Sequence, residues 1–127
     1  MTFFCDNCIP PVIVKLLELL RVTAVHLSVE FATNTKDEVW LSAIAERGWV
    51  LITADDGIRT RPAQRDALTQ SRIITFFLPG SFASSGRWEQ VRWIAVYWER
   101  IEKAARKAKP GDLFRITHRN GTITPLD

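Results

Sequence analysis

Hydrophobic residues along the chain alternate between short unbroken runs and segments with helical spacing. Residues 2–5 form an apolar run that stops at Asp6 and Asn7. Pro10 and Pro11 then open a segment whose apolar residues recur every three or four positions: Ile13, Leu16, Leu17 and Leu20. This order predicts a strand, a turn and a helix.

The middle of the chain repeats this order. Residues 22–29 are predicted to form a second strand, and residues 35–38 match a capping box that opens a helix ending at Gly48. Residues 49–53 are nearly all apolar, which is typical of a strand buried on both faces, and we expect this strand to be central. Residues 54–57, Ala-Asp-Asp-Gly, end it with a turn.

The second half of the chain continues the alternation. Pro62 is predicted to begin a helix through Leu68, and residues 73–78 form another apolar strand. Residues 79–86 are small and polar, so we expect a loop without a packing surface. The longest helix is predicted from residue 88 to residue 107, with one buried face made by Val91, Ile94, Trp98, Ile101 and Ala105. Residues 113–118 and 122–124 flank Asn120-Gly121, which predicts a terminal β-hairpin.

These elements predict an α/β fold. Strands that alternate with helices require right-handed crossovers, which produce a mainly parallel central sheet covered by helices on both faces. The 127 residues, 46% of them hydrophobic, are enough for one substantial core. We therefore expect a single domain over residues 1–127 with a C-terminal hairpin.

Composition and charge say more about where the protein acts than about which reaction it performs. The formal net charge of +3 is compatible with a polyanionic partner without requiring one. No segment approaches the roughly 20 apolar residues that cross a bilayer, and the first residues lack the order of a secretory signal. We expect a cytoplasmic protein with no membrane partner. Cys5 and Cys8 are the only cysteines, so no disulfide framework is predicted.

Three aspartates are predicted to meet at one edge of the sheet. In a parallel sheet the carboxyl ends of strands and the amino ends of the following helices share an edge, where ligands usually bind. Asp6 follows the first strand, Asp55 follows the central strand, and Asp37 lies in the first turn of the helix after the second strand. Two carboxylates 4 Å apart repel by roughly 4 kcal/mol at an effective dielectric near 20. The cluster therefore requires a cation or a shared proton.

Mg²⁺ or Mn²⁺ suits such a cluster, because both ions prefer hard oxygen ligands and can activate a bound water beside a phosphate. Phosphodiester hydrolysis is the chemistry that this arrangement favours. Each aspartate also has a simpler explanation: Asp6 as a strand end, Asp37 as a partner of the helix dipole, and Asp55 as a turn residue. Their joint placement favours the metal site, because independent structural roles need not select the same edge.

The segments FFCDN, KDEVWLSAIAERGW and VLITADDGIRTRP resemble the PIN-like nucleases, specifically the short branch found among VapC-type toxins. The resemblance covers about the first 80 residues, and more loosely the long helix and the hairpin. It implies metal-binding acids at Asp6, Asp37 and Asp55, and cleavage of RNA with Mg²⁺ or Mn²⁺. It also implies a VapBC-type toxin with a cognate antitoxin protein as partner, and homodimerisation. We expect single-stranded or looped RNA as substrate, because unstacked bases are accessible.

One feature departs from the family pattern, which has a fourth acid. After Asp55 the chain offers Asp56, Gln64 and Asp66, so Asp56 or Asp66 is the candidate for this position. Without either, the site would bind one cation rather than two. The alternative function is then a PIN-like protein-binding module that no longer cleaves.

Basic residues near the acids are candidates for substrate binding. Arg59, Arg61 and Arg65 follow Asp55 closely and could hold the scissile phosphate or its neighbours. Lys36, which precedes Asp37, could act similarly. The alternative for the three arginines is a solvated helix entry, and the alternative for Lys36 is a surface lysine that only aids solubility.

Other patterns support different functions less well. Cys5-Asp6-Asn7-Cys8 is a C-x-x-C motif, which could indicate a thioredoxin-like redox protein. A zinc site is not expected, because one pair of cysteines supplies too few ligands for tetrahedral coordination. Residues 80–87 lack the spacing of a phosphate-binding loop. Trp93 and Tyr97 could contact another subunit, an antitoxin helix or bases, although burial under a neighbouring helix is the simpler expectation. His26 and His118 lack ligand spacing and are predicted to be structural.

Overall fold

A six-stranded sheet organises the molecule in the computed structural model, which describes residues 1–126. The strands are β1 (Phe3–Cys5), β2 (Ala24–His26), β3 (Val50–Thr53), β4 (Thr75–Phe77), β5 (Leu113–Ile116) and β6 (Ile123–Leu126). The helices are α1 (Pro11–Leu19), α2 (Leu27–Glu30), α3 (Asp37–Arg47), α4 (Pro62–Ser71), α5 (Gly80–Ala83) and α6 (Arg87–Lys107). A short 3₁₀ helix spans Asp56–Arg59.

The strand order is β2-β1-β3-β4-β5-β6. The first five strands are parallel, and β6 pairs antiparallel with β5. All four residues of β3 are buried, as expected for an inner strand with helices on both faces. The predicted α/β fold, with its mainly parallel sheet and C-terminal hairpin, is confirmed.

Two hydrophobic clusters lie on opposite faces of the sheet. Phe3 and Phe4 are adjacent in β1, and because side chains alternate along a strand each belongs to a different cluster. The first cluster joins the sheet to α1 and α6, and the second joins it to α3 and α4. Four of the five residues predicted for the buried face of α6 are fully buried: Ile94, Trp98, Ile101 and Ala105.

Helix α3 ends where the sequence predicts, but it does not begin with the predicted capping box. Gly48 ends the helix in a left-handed conformation with φ of +69°, which glycine adopts at little cost. The predicted capping box is wrong, because Lys36 is the N-cap and makes no side-chain capping bond. The Thr35 amide instead donates to the Ala32 carbonyl, so a turn precedes the helix and Asp37 becomes its first residue.

Two segments differ from the predicted elements. Residues 22–29 do not form one long strand, because β2 ends at His26, whose Nδ1 accepts from the Ser28 amide at 3.1 Å and caps α2. Residues 79–86 are not a loop without packing, since they contain α5 and the fully buried Phe82. Phe82 contacts Trp93 with ring centroids 5.4 Å apart. One aromatic residue therefore anchors an otherwise polar segment.

Packing rather than covalent links holds the described residues together. Cys5 and Cys8 are both free, Cys5 in the core and Cys8 on the surface. No helix in this part of the chain combines the length and apolar character needed to cross a bilayer.

Candidate metal centre

Asp6 is a buried carboxylate at the carboxyl end of β1. It is 4% exposed, and Oδ1 accepts from the Cys8 amide at 3.1 Å while Oδ2 accepts from the Thr53 hydroxyl. Burial raises the pKa of Asp6 to about 6; these two hydrogen bonds oppose that shift, and the charges of Asp55 and Asp37 add to it. Among the described residues, no basic side chain pairs with the carboxylate of Asp6.

Thr53 is a site residue that the sequence analysis did not nominate. It is fully buried at the end of β3, and its hydroxyl donates to Asp6 and accepts from the Asp55 amide at 2.9 Å. One hydroxyl thus fixes both Asp6 and the chain at Asp55. The signal in the sequence was a threonine at the end of an apolar strand, two residues before an aspartate.

Asp55 begins the turn that follows β3. Its Oδ1 accepts from the Gly57 amide at 3.0 Å, so Asp55 caps the short 3₁₀ helix. Its Oδ2 accepts from Arg61 Nη2 at 2.6 Å. Oδ1 of Asp55 therefore has the turn-forming role that was the simpler explanation for this residue. Oδ2 instead pairs with the guanidinium of Arg61.

Asp37 reaches the same edge from α3. Its Oδ1 accepts from Trp40 Nε1 at 3.2 Å, which holds the side chain against its own helix. Its Oδ2 lies 3.6 Å from Arg61 Nη2. Since Arg61 also pairs with Asp55, one guanidinium contacts acids from two separate elements.

The three predicted acids therefore face the same region at the carboxyl edge of the sheet. Their donor chemistry fits a hard divalent cation, because all three contribute carboxylate oxygens and Asp6 is buried without a cationic partner. Within residues 1–126, however, no three His, Cys, Asp or Glu side chains are close enough together to hold one metal ion.

Neither candidate for the fourth acid joins the other three. Asp56 is more than half exposed and pairs with Arg59 at 3.1 Å and Arg115 at 3.4 Å. Asp66 pairs with Arg65 at 3.7 Å and lines a groove between α3 and α4 together with Glu38. The hydrogen bond from Arg59 is the main reason that the pKa of Asp56 is below its usual value.

The candidate substrate residues occupy different positions. Arg61 lies at the acids, whereas Arg59 and Arg65 are paired with Asp56 and Asp66. Lys36 is an exposed residue at the start of α3. Of the four, Arg61 is the one that pairs with two of the three main predicted ligands, Asp37 and Asp55.

The cysteine pair has the wrong environment for thiol chemistry. Cys5 is fully buried, and burial raises its pKa far above the ordinary value. Burial, together with the charges of Asp6, Asp55 and Asp37, raises the pKa of Cys8 to about 12. A reactive thiolate requires positive surroundings, so the redox interpretation has no support.

His26 and Trp93 have structural contacts. His26 accepts from the Ser28 amide and lies 2.7 Å from the Ile9 carbonyl through Nε2. Trp93 is 6% exposed and donates from Nε1 to the His118 carbonyl at 2.8 Å. Burial is therefore the correct explanation for Trp93.

In an α/β sheet of this kind, ligands usually bind at the carboxyl edge, where these acids lie. A family model described as PIN like domain matches residues 1–80, and the chain belongs to this PIN-like family. The match contains Asp6, Asp37 and Asp55, and it ends at Gly80, the first residue of α5. No curated protein and no solved structure matched the chain.

Proposed function

We propose that the protein is a metal-dependent endoribonuclease in which Asp6, Asp37 and Asp55 bind Mg²⁺ or Mn²⁺. The observation that carries this proposal is the approach of these three carboxylates, from three separate elements, to one edge of a PIN-like domain. Such domains are commonly nucleases. Carboxylates that lie close together repel one another, and a divalent cation bound between them removes this repulsion.

Neighbouring residues orient the carboxylates of the proposed metal site. Thr53 and the Cys8 amide orient the two oxygens of Asp6, and the Gly57 amide orients Asp55. A bound Mg²⁺ or Mn²⁺ would supply phosphate polarisation and a water of lowered pKa. Because the pKa of Asp6 is about 6, its carboxylate is mostly ionised at neutral pH and available as a ligand.

The substrate that we propose is single-stranded or looped RNA. Arg61 lies directly at the acids, and Arg59, Arg65 and Lys36 are the further cations that we assign to the phosphates around the cut. Equal cleavage of an intact duplex and of the same sequence as a single strand would contradict this preference.

The biological role that we propose is the toxin of a VapBC-type pair, acting in the cytoplasm as a homodimer and held inactive by a cognate antitoxin. The PIN-like family supports this role only in general terms. A small protein encoded beside this chain, which binds it and suppresses cleavage, is the expected partner. A neighbouring frame with no such effect would remove the toxin role and leave the nuclease proposal intact.

The test is a cleavage assay with the purified chain, manganese and a set of unrelated RNAs. We expect Mn²⁺-dependent cleavage that falls at least about a hundredfold in Asp6→Asn, Asp37→Asn and Asp55→Asn, because each removes a charged ligand. Asp66→Asn is the matched control, since it makes the same change in an acid paired with Arg65. Cleavage that persists in Asp6→Asn would refute the site.

The second candidate function is a PIN-like binding module without nuclease activity. The observation that favours it is that, within residues 1–126, neither Asp56 nor Asp66 joins the other three acids. In addition, the single positive charge of Arg61 already offsets part of the negative charge of Asp55 and Asp37. No cleavage of any RNA with Mn²⁺, combined with tight binding of a protein partner, would establish the module.

A further inference from the structure

Arg61 lies between two of the proposed metal ligands. Its Nη2 is 2.6 Å from Asp55 Oδ2 and 3.6 Å from Asp37 Oδ2. These acids belong to the turn after β3 and to α3, so the guanidinium connects two elements that meet at the sheet edge. It supplies positive charge at the position where a divalent cation is needed.

The local backbone is shaped for this contact. The Arg61 amide donates to the Gly57 carbonyl at 2.8 Å, which fixes the start of α4 beside the turn. A Cβ at Gly57 would lie 2.9 Å from Asp55 Oδ1 and would overlap the guanidinium of Arg61. The absence of a side chain at Gly57 therefore allows Arg61 to approach Asp55 so closely.

The contact is nevertheless open to exchange. The side chain of Arg61 is 46% exposed, so the guanidinium has a direct path into solvent. An ion pair with this exposure is weak, since solvent and salt screen it. A divalent cation with three carboxylate ligands is the stronger competitor for the same oxygens.

We infer that Arg61 is a built-in competitor of the metal ion: it holds Asp55 and Asp37 while the metal is absent, and metal binding releases it. This inference rests on the proposed metal site. It assigns Arg61 two successive partners, the carboxylates first and an RNA phosphate after metal has bound. Arg61 then sets the metal concentration at which the site fills.

Calorimetric titration of Mn²⁺ into the RNA-free protein tests this inference without relying on activity. We expect Arg61→Gln to bind Mn²⁺ about threefold to tenfold more tightly than the wild type, because the competing charge is gone. Arg65→Gln is the matched control. It removes the same charge from the same helix region, but Arg65 pairs with Asp66 at 3.7 Å, so its Mn²⁺ affinity should equal that of the wild type.

The outcomes separate this inference from the proposed function. Equal or weaker Mn²⁺ binding by Arg61→Gln, with clear binding by the wild type, overturns the competition and leaves the metal site standing. No Mn²⁺ binding by the wild type and both variants overturns the metal site and the inference together. If Arg61→Gln does not fold, Arg61→Lys replaces it. Its ammonium cannot span both carboxylates in the same way, so a smaller gain in affinity is expected.

Discussion

The hydroxyl of Thr53 donates to the carboxylate of Asp6 across two neighbouring parallel strands. The register of β1 and β3 places Cys5 beside Ile52, so Asp6 and Thr53 occupy the next positions along the two strands. The same hydroxyl accepts from the Asp55 amide. Sheet register, rather than any local motif, therefore connects two acids that are far apart in sequence.

Replacing Thr53 with valine tests this connection, because valine keeps the shape and removes the hydroxyl. We expect the free energy of unfolding to fall by about 1–3 kcal/mol, since the buried carboxylate of Asp6 loses a donor and the partly buried amide of Asp55 loses an acceptor. Urea denaturation measures the change. Thr53→Ser should recover most of the loss.

Thr75→Val is the matched control for that experiment. Thr75 is equally buried in the neighbouring strand β4, but its hydroxyl donates only to the Ile73 carbonyl at 3.3 Å. Its replacement should cost clearly less than that of Thr53. Equal losses at the two positions would mean that the Thr53 hydroxyl has no special role.

Asp6 should make stability depend on pH when no metal is present. Its pKa is 3.8 when unperturbed and about 6 in the folded protein, so the folded state binds more protons between these values. By linkage, its contribution to stability is greatest at low pH and is lost as pH rises toward 6, by about 3 kcal/mol at most.

The check on this pH dependence is urea denaturation in a chelator at several values from pH 4 to pH 7, for the wild type and Asp6→Asn. The difference between the two proteins isolates Asp6 from acids such as Asp56, whose pKa is shifted in the opposite direction. The wild type should lose stability relative to Asp6→Asn as pH rises. A difference that stays constant across this range would show that Asp6 is not perturbed.

The sequence was sufficient to predict that Asp6, Asp37 and Asp55 lie at one edge of the sheet, because that follows from topology. Once strands alternate with helices, Asp6 and Asp55 must both lie at the carboxyl ends of parallel strands. Asp37 reaches the same edge because it is the first residue of α3, and the amino ends of helices that follow parallel strands lie at that edge. These are consequences of chain direction and do not depend on side-chain detail.

Individual contacts between side chains could not be predicted from the pattern of hydrophobic and polar residues. The bridge from Arg61 to Asp55 and Asp37 depends on how closely α4 packs against α3 and on the missing side chain of Gly57. The capping of α2 by His26 depends on one hydrogen bond that periodicity does not encode. Phe82 is a single apolar residue, so no periodic signal marked its burial.

Gly48 and Gly121 both have a left-handed backbone conformation. Replacing each with alanine therefore separates the cost of backbone strain from the cost of steric overlap. Gly48 has φ of +69° with nothing within 4 Å of an added Cβ, whereas Gly121 has φ of +65° and an added Cβ would overlap the Tyr97 ring. We expect Gly48→Ala to cost about 1 kcal/mol from the backbone alone. Gly121→Ala should cost more, by about 1–3 kcal/mol, because the hairpin must also move away from α6.

Thermal or urea denaturation of both alanine variants measures these costs. The ranking matters more than either value, because the two positions have nearly the same φ and differ in their surroundings. A smaller loss for Gly121→Ala than for Gly48→Ala would indicate that the hairpin does not pack on Tyr97.

Cys8 should react slowly with alkylating agents although it lies on the surface. Burial and the charges of Asp6, Asp55 and Asp37 raise its pKa from 9.0 to about 12, and only the thiolate is nucleophilic. At pH 8 this lowers the thiolate fraction, and with it the alkylation rate, about a thousandfold relative to an ordinary cysteine. Mass spectrometry of samples quenched at intervals measures the rate.

The controls for Cys8 locate the cause of its low reactivity. In urea both cysteines should be alkylated at ordinary rates, because unfolding removes the burial and separates the acids. In the folded protein Asp55→Asn should speed alkylation of Cys8, since one of the charges that disfavour the thiolate is gone. Rapid alkylation of the folded wild type, together with reduction of insulin, would contradict the high pKa. That result would restore the C-x-x-C pair as a redox candidate, with Cys8 as the attacking thiol.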